Sequence, residues 1–150
     1  MNALTDWRIR GMTIADYDEV IALWRATEGL GLGESDERGA IAVYLDRNPG
    51  MSFVAVNGDR IVGAVLGGHD GRRGYLHHLA VVPRWRHHGI GRALVEASLV
   101  QLTAAGLPKC NLFLYGHNAA GRAFWLKHGW SAREDLVLVQ KPLATIGKPG

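Results

Sequence analysis

The stretch Val81-Val82-Pro83-Arg84-Trp85-Arg86-His87-His88-Gly89-Ile90-Gly91-Arg92-Ala93-Leu94 reads as the end of a strand, a short loop rich in glycine and arginine, and the start of a helix. Proline has no N–H to give a ladder, so the strand stops at Pro83. At the first turn of a helix the backbone N–H groups have no partner and point outward. With the helix dipole they form a cradle for an anion. Gly89 and Gly91 let a ligand approach the main chain closely, and Arg86 and Arg92 add positive charge. The expected ligand is a phosphate or pyrophosphate. Gly89-Ile90-Gly91 opens like a dinucleotide fingerprint, but Leu94 stands where its third glycine would be, and the unit follows three strands instead of opening a βαβ series. No Lys-Ser/Thr pair follows the glycines, which excludes a Walker loop.

Upstream of this junction the pattern begins with a short strand, Trp7 to Arg10. Tyr17, Val20, Ile21 and Trp24 then recur on one face of an amphipathic helix, with Thr13 as N-cap and Asp16 at a capping-box spacing. A glycine-rich loop holds Gly29, Gly31 and Gly33. Ser35 is the expected cap of a second helix, with Asp36 and Glu37 in its first turn and Asn48-Pro49-Gly50 as its stop. Ser52 to Val56 and Arg60 to Leu66 form a hairpin around Asn57-Gly58, and Gly67-Gly68 marks a bulge or the strand's end. Tyr75 to Val82 is the next strand. Downstream come a helix from Ile90 to Ala105, a strand from Cys110 to Tyr115, a helix from Ala119 to His128, and two closing strands, Trp130–Ser131 and Leu136–Val139. The order β-α-α-β-β-β-α-β-α-β-β predicts an α/β fold: a mixed, mostly antiparallel central sheet with about four helices on its two faces.

A chain of 150 residues, 47% apolar and 21% charged, is sized and composed for a single domain with its own core. We expect one domain over 1–150, with its core at about 8–142 and a loose tail at 143–150. The lone Cys110 has no disulfide partner within the chain. Met1 to Trp7 lacks the features of a signal peptide, and no run approaches the ~18 apolar residues of a membrane span. The expectation is a cytoplasmic protein, monomer or homodimer, with no membrane partner. Charge is unevenly placed: residues 1–50 carry five arginines and nine acids, and residues 51–150 carry twelve basic side chains and five acids. Between Asp70 and Glu96 there is no acid, while five arginines and four histidines fall there. Such a face attracts anions, and charge alone leaves nucleic acid, a phosphorylated cofactor and no partner at all equally open. The chain lacks a nucleic-acid-binding module, so no nucleic-acid partner is expected. His77-His78 and His87-His88 are adjacent pairs, not spaced ligands, and no metal is expected.

The Arg86-x-x-Gly89-x-Gly91 segment, on its strand–loop–helix junction, resembles the acetyl-CoA loop of the GNAT superfamily of acetyltransferases. Ile9-Arg10-Gly11-Met12-Thr13 followed by Asp16 resembles that family's opening, Leu79-Ala80-Val81-Val82-Pro83 its central strand, and Asn118, Phe124 and Gly129-Trp130 its last conserved segment. The resemblance covers about residues 8–142. It implies acetyl-CoA as co-substrate and a GNAT fold. The main chain of Arg86, His87, His88, Gly89, Ile90, Gly91 and Arg92 would hold the pyrophosphate. The backbone along Leu79, Ala80 and Val81 would pair with the pantetheine arm, in a splay between this strand and the next. Asn118 would hydrogen-bond the arm and Phe124 would pack near it.

Acetylation of an amine requires a base. Residues alternate between the faces of a strand, so Tyr75, His77, Leu79 and Val81 share one face and His78 takes the other, unless a one-residue bulge exchanges the histidines. The resemblance places the base at His77 or Tyr75, and histidine titrates in the right range. One departure is Trp125, where many family members carry the tyrosine that protonates the leaving thiolate; indole is a donor only. That absence is what supports an alternative, a non-catalytic acyl-CoA-binding sensor. The acceptor in this family enters between the first two helices and the sheet. Glu28, with Glu34, Asp36 and Glu37, gives that region an acidic character suited to a cationic amine of a small molecule, a protein N-terminus or a lysine, although these acids also serve as caps of the second helix.

Overall fold

The computed structural model describes residues 6–144, which form two compact units, one ending at Asn118 and the other beginning at Ala119. The first unit is built on a five-stranded sheet in simple sequence order: β1 (Arg8–Gly11), β2 (Phe53–Asn57), β3 (Arg60–His69), β4 (Gly74–Val81) and β5 (Cys110–Asn111). The first four are antiparallel neighbours, and β5 joins β4 in parallel. The parallel step needs a crossover, which is α3 (Ile90–Ala104). The helices α1 (Tyr17–Ala26) and α2 (Arg38–Arg47) lie between β1 and β2 in the chain.

Both faces of the sheet are covered, as expected. On one, Val20, Ile21, Leu23 and Trp24 of α1 and Ile41 of α2 pack on Val54, Val56, Ala64, Leu66 and Ala80. On the other, Ile90, Leu94, Ser98 and Leu102 of α3 lie where side chains at Gly63, Gly67 and Gly74 would stand. The start of α1 is held as its sequence predicts: Asp16 Oδ2 accepts from Thr13 N at 2.9 Å, and the same carboxylate pairs with Arg10 at 2.8 Å. The β2–β3 hairpin turns on Gly58-Asp59, with Gly58 at φ 60° in the first central position.

Several expectations are corrected. Ser35 does not cap α2. It sits in a separate 3₁₀ turn, Glu34–Asp36, and Glu37 is the residue before the helix. Gly67 and Gly68 mark neither a bulge nor a strand end, because β3 runs on to His69. They are glycines because a Cβ at Gly67 would lie 2.2 Å from Met51 O, and one at Gly68 2.5 Å from the Tyr44 hydroxyl. The strand expected over Cys110 to Tyr115 keeps only its first two residues.

The second unit holds α4 (Ala119–Lys127), and its Trp125 packs edge-on against Phe124 and Trp130 with centroids 5.2 and 5.0 Å apart. An ion pair joins Arg122 to Glu134. The closing strands expected at Trp130–Ser131 and Leu136–Val139 are not formed: these residues join no ladder, and Leu136 to Val139 are exposed. Apolar alternation makes a strand only where a neighbouring strand offers hydrogen bonds. Of the tail expected at 143–150, residues 145–150 lie outside the described residues.

Candidate active site

The strand–loop–helix junction is built as the sequence suggests. After β4, Pro83–Trp85 form one 3₁₀ turn, closed by Trp85 N to Val82 O at 2.8 Å and Arg86 N to Pro83 O at 3.2 Å. Trp85 is buried and anchors the turn, while Arg86, His87, His88 and Gly89 are exposed. The chain reverses through two left-handed residues, His87 at φ 66° and Gly89 at φ 85°. Gly89 precedes α3, and its carbonyl accepts from Ala93 N at 3.0 Å. That is the first intrahelical bond, so the amides of Ile90, Gly91 and Arg92 are the orphan donors of the first turn. A Cβ at Gly89 would meet nothing within 4 Å, so the loop is open at that residue. Arg86 does less for the local charge than expected, because its Nε folds back to donate to Val81 O at 3.1 Å. Arg92 is exposed and leans toward Glu96 at 3.6 Å.

Next to this cradle β4 and β5 part. They pair only at Gly74–Cys110 and Tyr75–Asn111, and from Leu76 onward β4 has no β5 partner. The parted arms carry an aromatic array: Tyr75 and His77 on β4 stack with Phe113 beyond β5 at centroid distances of 6.2 and 6.5 Å. Phe113 was not singled out by its sequence, since it was read as one more strand residue.

The β4 strand also carries a bulge. Ala64 pairs with Ala80 and Leu66 with His77, so Val65 alone faces His78 and Leu79. His78 is left-handed, at φ 55°. The bulge does not exchange the two histidines; it turns both to one face, correcting the expected alternation. His77 lies edge-on to Tyr44 of α2 at 6.2 Å, and His78 lies 4.9 Å from Trp24 of α1. Burial, with His78 beside it, pushes the His77 imidazole below its ordinary value, so it is neutral at neutral pH. His78 Nε2 stands 2.8 Å from Asp36 Oδ1. A carboxylate only accepts, so this nitrogen carries the proton.

Among the acids expected near the acceptor, Asp36 is the one drawn inward. Its Oδ2 accepts from Gly33 N at 3.0 Å and its carbonyl from the Tyr17 hydroxyl at 2.6 Å. Glu28, Glu34 and Glu37 are exposed. A shallow open depression beside them is lined by Tyr17, Ile21, Arg25, Leu32, Gly33, Asp36 and Glu37. Asn118 lies against Gly29, whose Cβ would stand 3.1 Å from its Nδ2. Phe124 belongs to the second unit, where its ring also packs on His128 at 4.5 Å. Trp125, in place of the family's tyrosine, is buried. Cys110 is no thiolate: burial pushes its thiol up to about 11. Among the described residues no group of three or more histidines, cysteines or acids is placed to hold a metal, and no helix is long and apolar enough to cross a membrane.

The sheet is mixed, and β4 parts from its parallel neighbour β5 beside an amide-lined helix start. The chain belongs to the Acetyltransferase (GNAT) family, whose pattern matches residues 16–130. It is similar to an acetyltransferase of Sodalis glossinidius (strain morsitans), 34% identical over 128 residues that cover 85% of this chain and 89% of the relative. In fold it is similar to the PaiA N-acetyltransferase of Thermoplasma acidophilum in complex with coenzyme A, with TM-score 0.75, 18% identity, and coverage of 85% of this chain and 91% of that one. It also resembles an aminoglycoside acetyltransferase from an uncultured soil metagenomic sample in complex with sisomicin, with TM-score 0.73, 20% identity, and coverage of 93% and 97%.

Proposed function

We propose that this acetyltransferase moves an acetyl group from acetyl-CoA to a primary amine of a small molecule or protein, by direct attack in a ternary complex. The observation that carries the reading is the parting of β4 from β5 next to the orphan amides of α3. The residues fit the cofactor: the amides of Ile90, Gly91 and Arg92, without intrahelical partners, suit a pyrophosphate, and the side of β4 that lacks a β5 partner along Leu79, Ala80 and Val81, where Arg86 now holds the Val81 carbonyl, suits the amide-bearing pantetheine arm. The printed ligands of the two structural neighbours, coenzyme A and an aminoglycoside, support the same class of donor and acceptor.

Acetyl-CoA supplies the activated thioester carbonyl. His77, neutral and on the parted side of β4, takes the proton that an ammonium must lose before its nitrogen can attack, directly or through water. Tyr75 stacks on His77 at 6.2 Å and holds its plane. The amide of Leu79, at the bulge, donates toward the carbonyl oxygen as it gains charge. The C–N bond forms and the C–S bond breaks, and water protonates the leaving thiolate, since Trp125 cannot. Cys110, protonated at neutral pH, is unsuited to carry the acetyl group, which favours direct transfer. Glu28 is the acid proposed to meet a cationic acceptor.

The test is calorimetric titration with acetyl-CoA, on the native protein and on Gly89→Trp, followed by thiol release with spermidine, kanamycin and a peptide with a free α-amine. We expect saturable binding, its loss in the variant, and release with at least one amine. A folded native protein that binds no acetyl-CoA would sink the reading.

A further inference from the structure

The segment between α1 and α2 makes contacts on both arms of the splay. On one side Gly29 lies against Asn118, and a Cβ at Gly31 would stand 2.1 Å from the Tyr115 hydroxyl. Tyr115 and Asn118 follow β5 in the chain. On the other side Asp36 bonds His78 at the β4 bulge. The segment therefore spans the gap that opens between β4 and β5. Its β4 end is held at one residue: Asp36 receives Gly33 N, the Tyr17 hydroxyl and His78 Nε2, at 3.0, 2.6 and 2.8 Å. Both partners of the last contact are largely buried, with side-chain exposures of 19% and 13%. The contact also has a backbone cost. A non-glycine residue at φ 55° is strained and persists where its surroundings hold it. Here the bulge and the strain bring the ring of His78 to the α1–α2 face, where Asp36 is.

We propose that His78 and Asp36 are a positioning pair, which latches the glycine-rich segment across the splay and thereby sets the affinity for the acceptor amine without contributing to the acyl donor site. This rests on the acetyltransferase reading above. The pair acts through the segment: Glu28, Gly29 and Gly31 are exposed on it, and their placement depends on an anchor at Asp36. The α3 amides make no contact with the pair; Leu79 follows His78 in the β4 bulge, so the substitution at His78 has to keep its left-handed backbone. Gly31 is part of the same device, since a Cβ there would displace the Tyr115 hydroxyl from its present place.

The test compares His78→Asn, His78→Gln and Asp36→Ala. Asparagine tolerates the left-handed backbone but is too short to reach Asp36, and glutamine has the reach and an N–H to donate. For the amine turned over among spermidine, kanamycin and the peptide, assayed on the alkaline plateau where His77 is neutral in every variant, we expect the KM to rise about tenfold or more in His78→Asn and Asp36→Ala, with kcat and the acetyl-CoA Kd within about twofold, and His78→Gln to recover most of the loss. The amide of Gly33 should exchange faster in the first two variants, a readout independent of turnover. Gly31→Ala should raise the same KM, and Tyr115→Phe added to it should restore it in part. Unchanged KM and unchanged Gly33 exchange in His78→Asn and Asp36→Ala would overturn the latch while leaving the acetyltransferase reading intact. A kcat loss with unchanged KM would overturn it in favour of direct catalysis by His78. A native protein that binds acetyl-CoA but acetylates no amine would fail the underlying reading, and the latch as an acceptor determinant with it.

Discussion

In the proposed reaction His77 is the residue on which the chemistry and the pH response meet. Its folded pKa lies below the 6.5 of a free imidazole, first because it is buried and then because His78 is beside it, with Asp36 pulling the other way. The unfolded chain therefore binds a proton at higher pH than the folded one. The stability associated with a neutral His77 is present above the unfolded pKa and lost as pH falls through it toward the folded value. Thermal melts of native protein and His77→Gln should diverge on acidification in that window, the variant losing less. In the assay kcat/KM should fall on the same acid limb, and a native profile with no such limb would remove His77 as base. Two other residues make opposite predictions. Asp16 is buried, and its carboxylate is held below the usual range chiefly by Arg10, so Asp16→Asn should cost about 1–3 kcal/mol, read as a urea midpoint shift at unchanged slope. The Tyr44 hydroxyl is buried with no partner among the described residues, and burial pushes its pKa up to about 12. Tyr44→Phe removes an unsatisfied group and should stabilise by about 1 kcal/mol on the same measurement.

At the scale of elements, β3 shows how a local reading goes astray. Two consecutive glycines ordinarily punctuate a strand, yet β3 passes through Gly67 and Gly68 because neighbours approach it there: Met51 O on one face, Tyr44 and Asn48 on the other. Ser98 and Ser52 close the same knot, with Ser98 Oγ donating to Met51 O at 2.8 Å and Ser52 Oγ accepting from Gly67 N at 3.0 Å. Gly67→Ala puts a Cβ against backbone that cannot swing aside, and should cost about 2–3 kcal/mol in urea unfolding. Elements set by local chemistry were legible: the hairpin near Asn57-Gly58, the start of α1 at Thr13 and Asp16, and the α3 junction after Pro83. What was not legible depends on partners distant in sequence. Asp36 reads as a first-turn acid of α2 because nothing nearby reveals His78, 42 residues on. The turn of His78 toward the face of His77 follows from one extra residue in β4, which only its pairing with β3 reveals. The segment from Leu136 to Val139 has strand composition, but composition does not supply the neighbour a ladder needs.

Over the whole molecule the charge is polarised along the chain, with residues 1–50 acidic by four and residues 51–150 basic by seven. That asymmetry was legible from the start, and the family reading divides it between donor and acceptor: the basic share includes the exposed loop after β4, and the acidic share the exposed Glu28, Glu34 and Glu37. Charges on exposed side chains act over roughly a Debye length and are screened by salt, whereas main-chain amides at a helix start act at contact. The loop holds both kinds. Arg84, Arg86 and Arg92 are exposed, but Arg86 is turned back on Val81 O and Arg92 leans on Glu96, so under the proposed reading much of the specific grip on a pyrophosphate would fall to the amides of Ile90, Gly91 and Arg92. The affinity for acetyl-CoA should therefore weaken only about three- to tenfold between about 50 and about 500 mM salt, less than a site held by free side-chain charge alone. Calorimetry of acetyl-CoA across that range decides it. A fall of about a hundredfold or more would assign the grip to the arginines, and Arg84→Ala with Arg92→Ala would then abolish the salt dependence; the expected shallow slope would leave the same double variant binding nearly as well as the native protein.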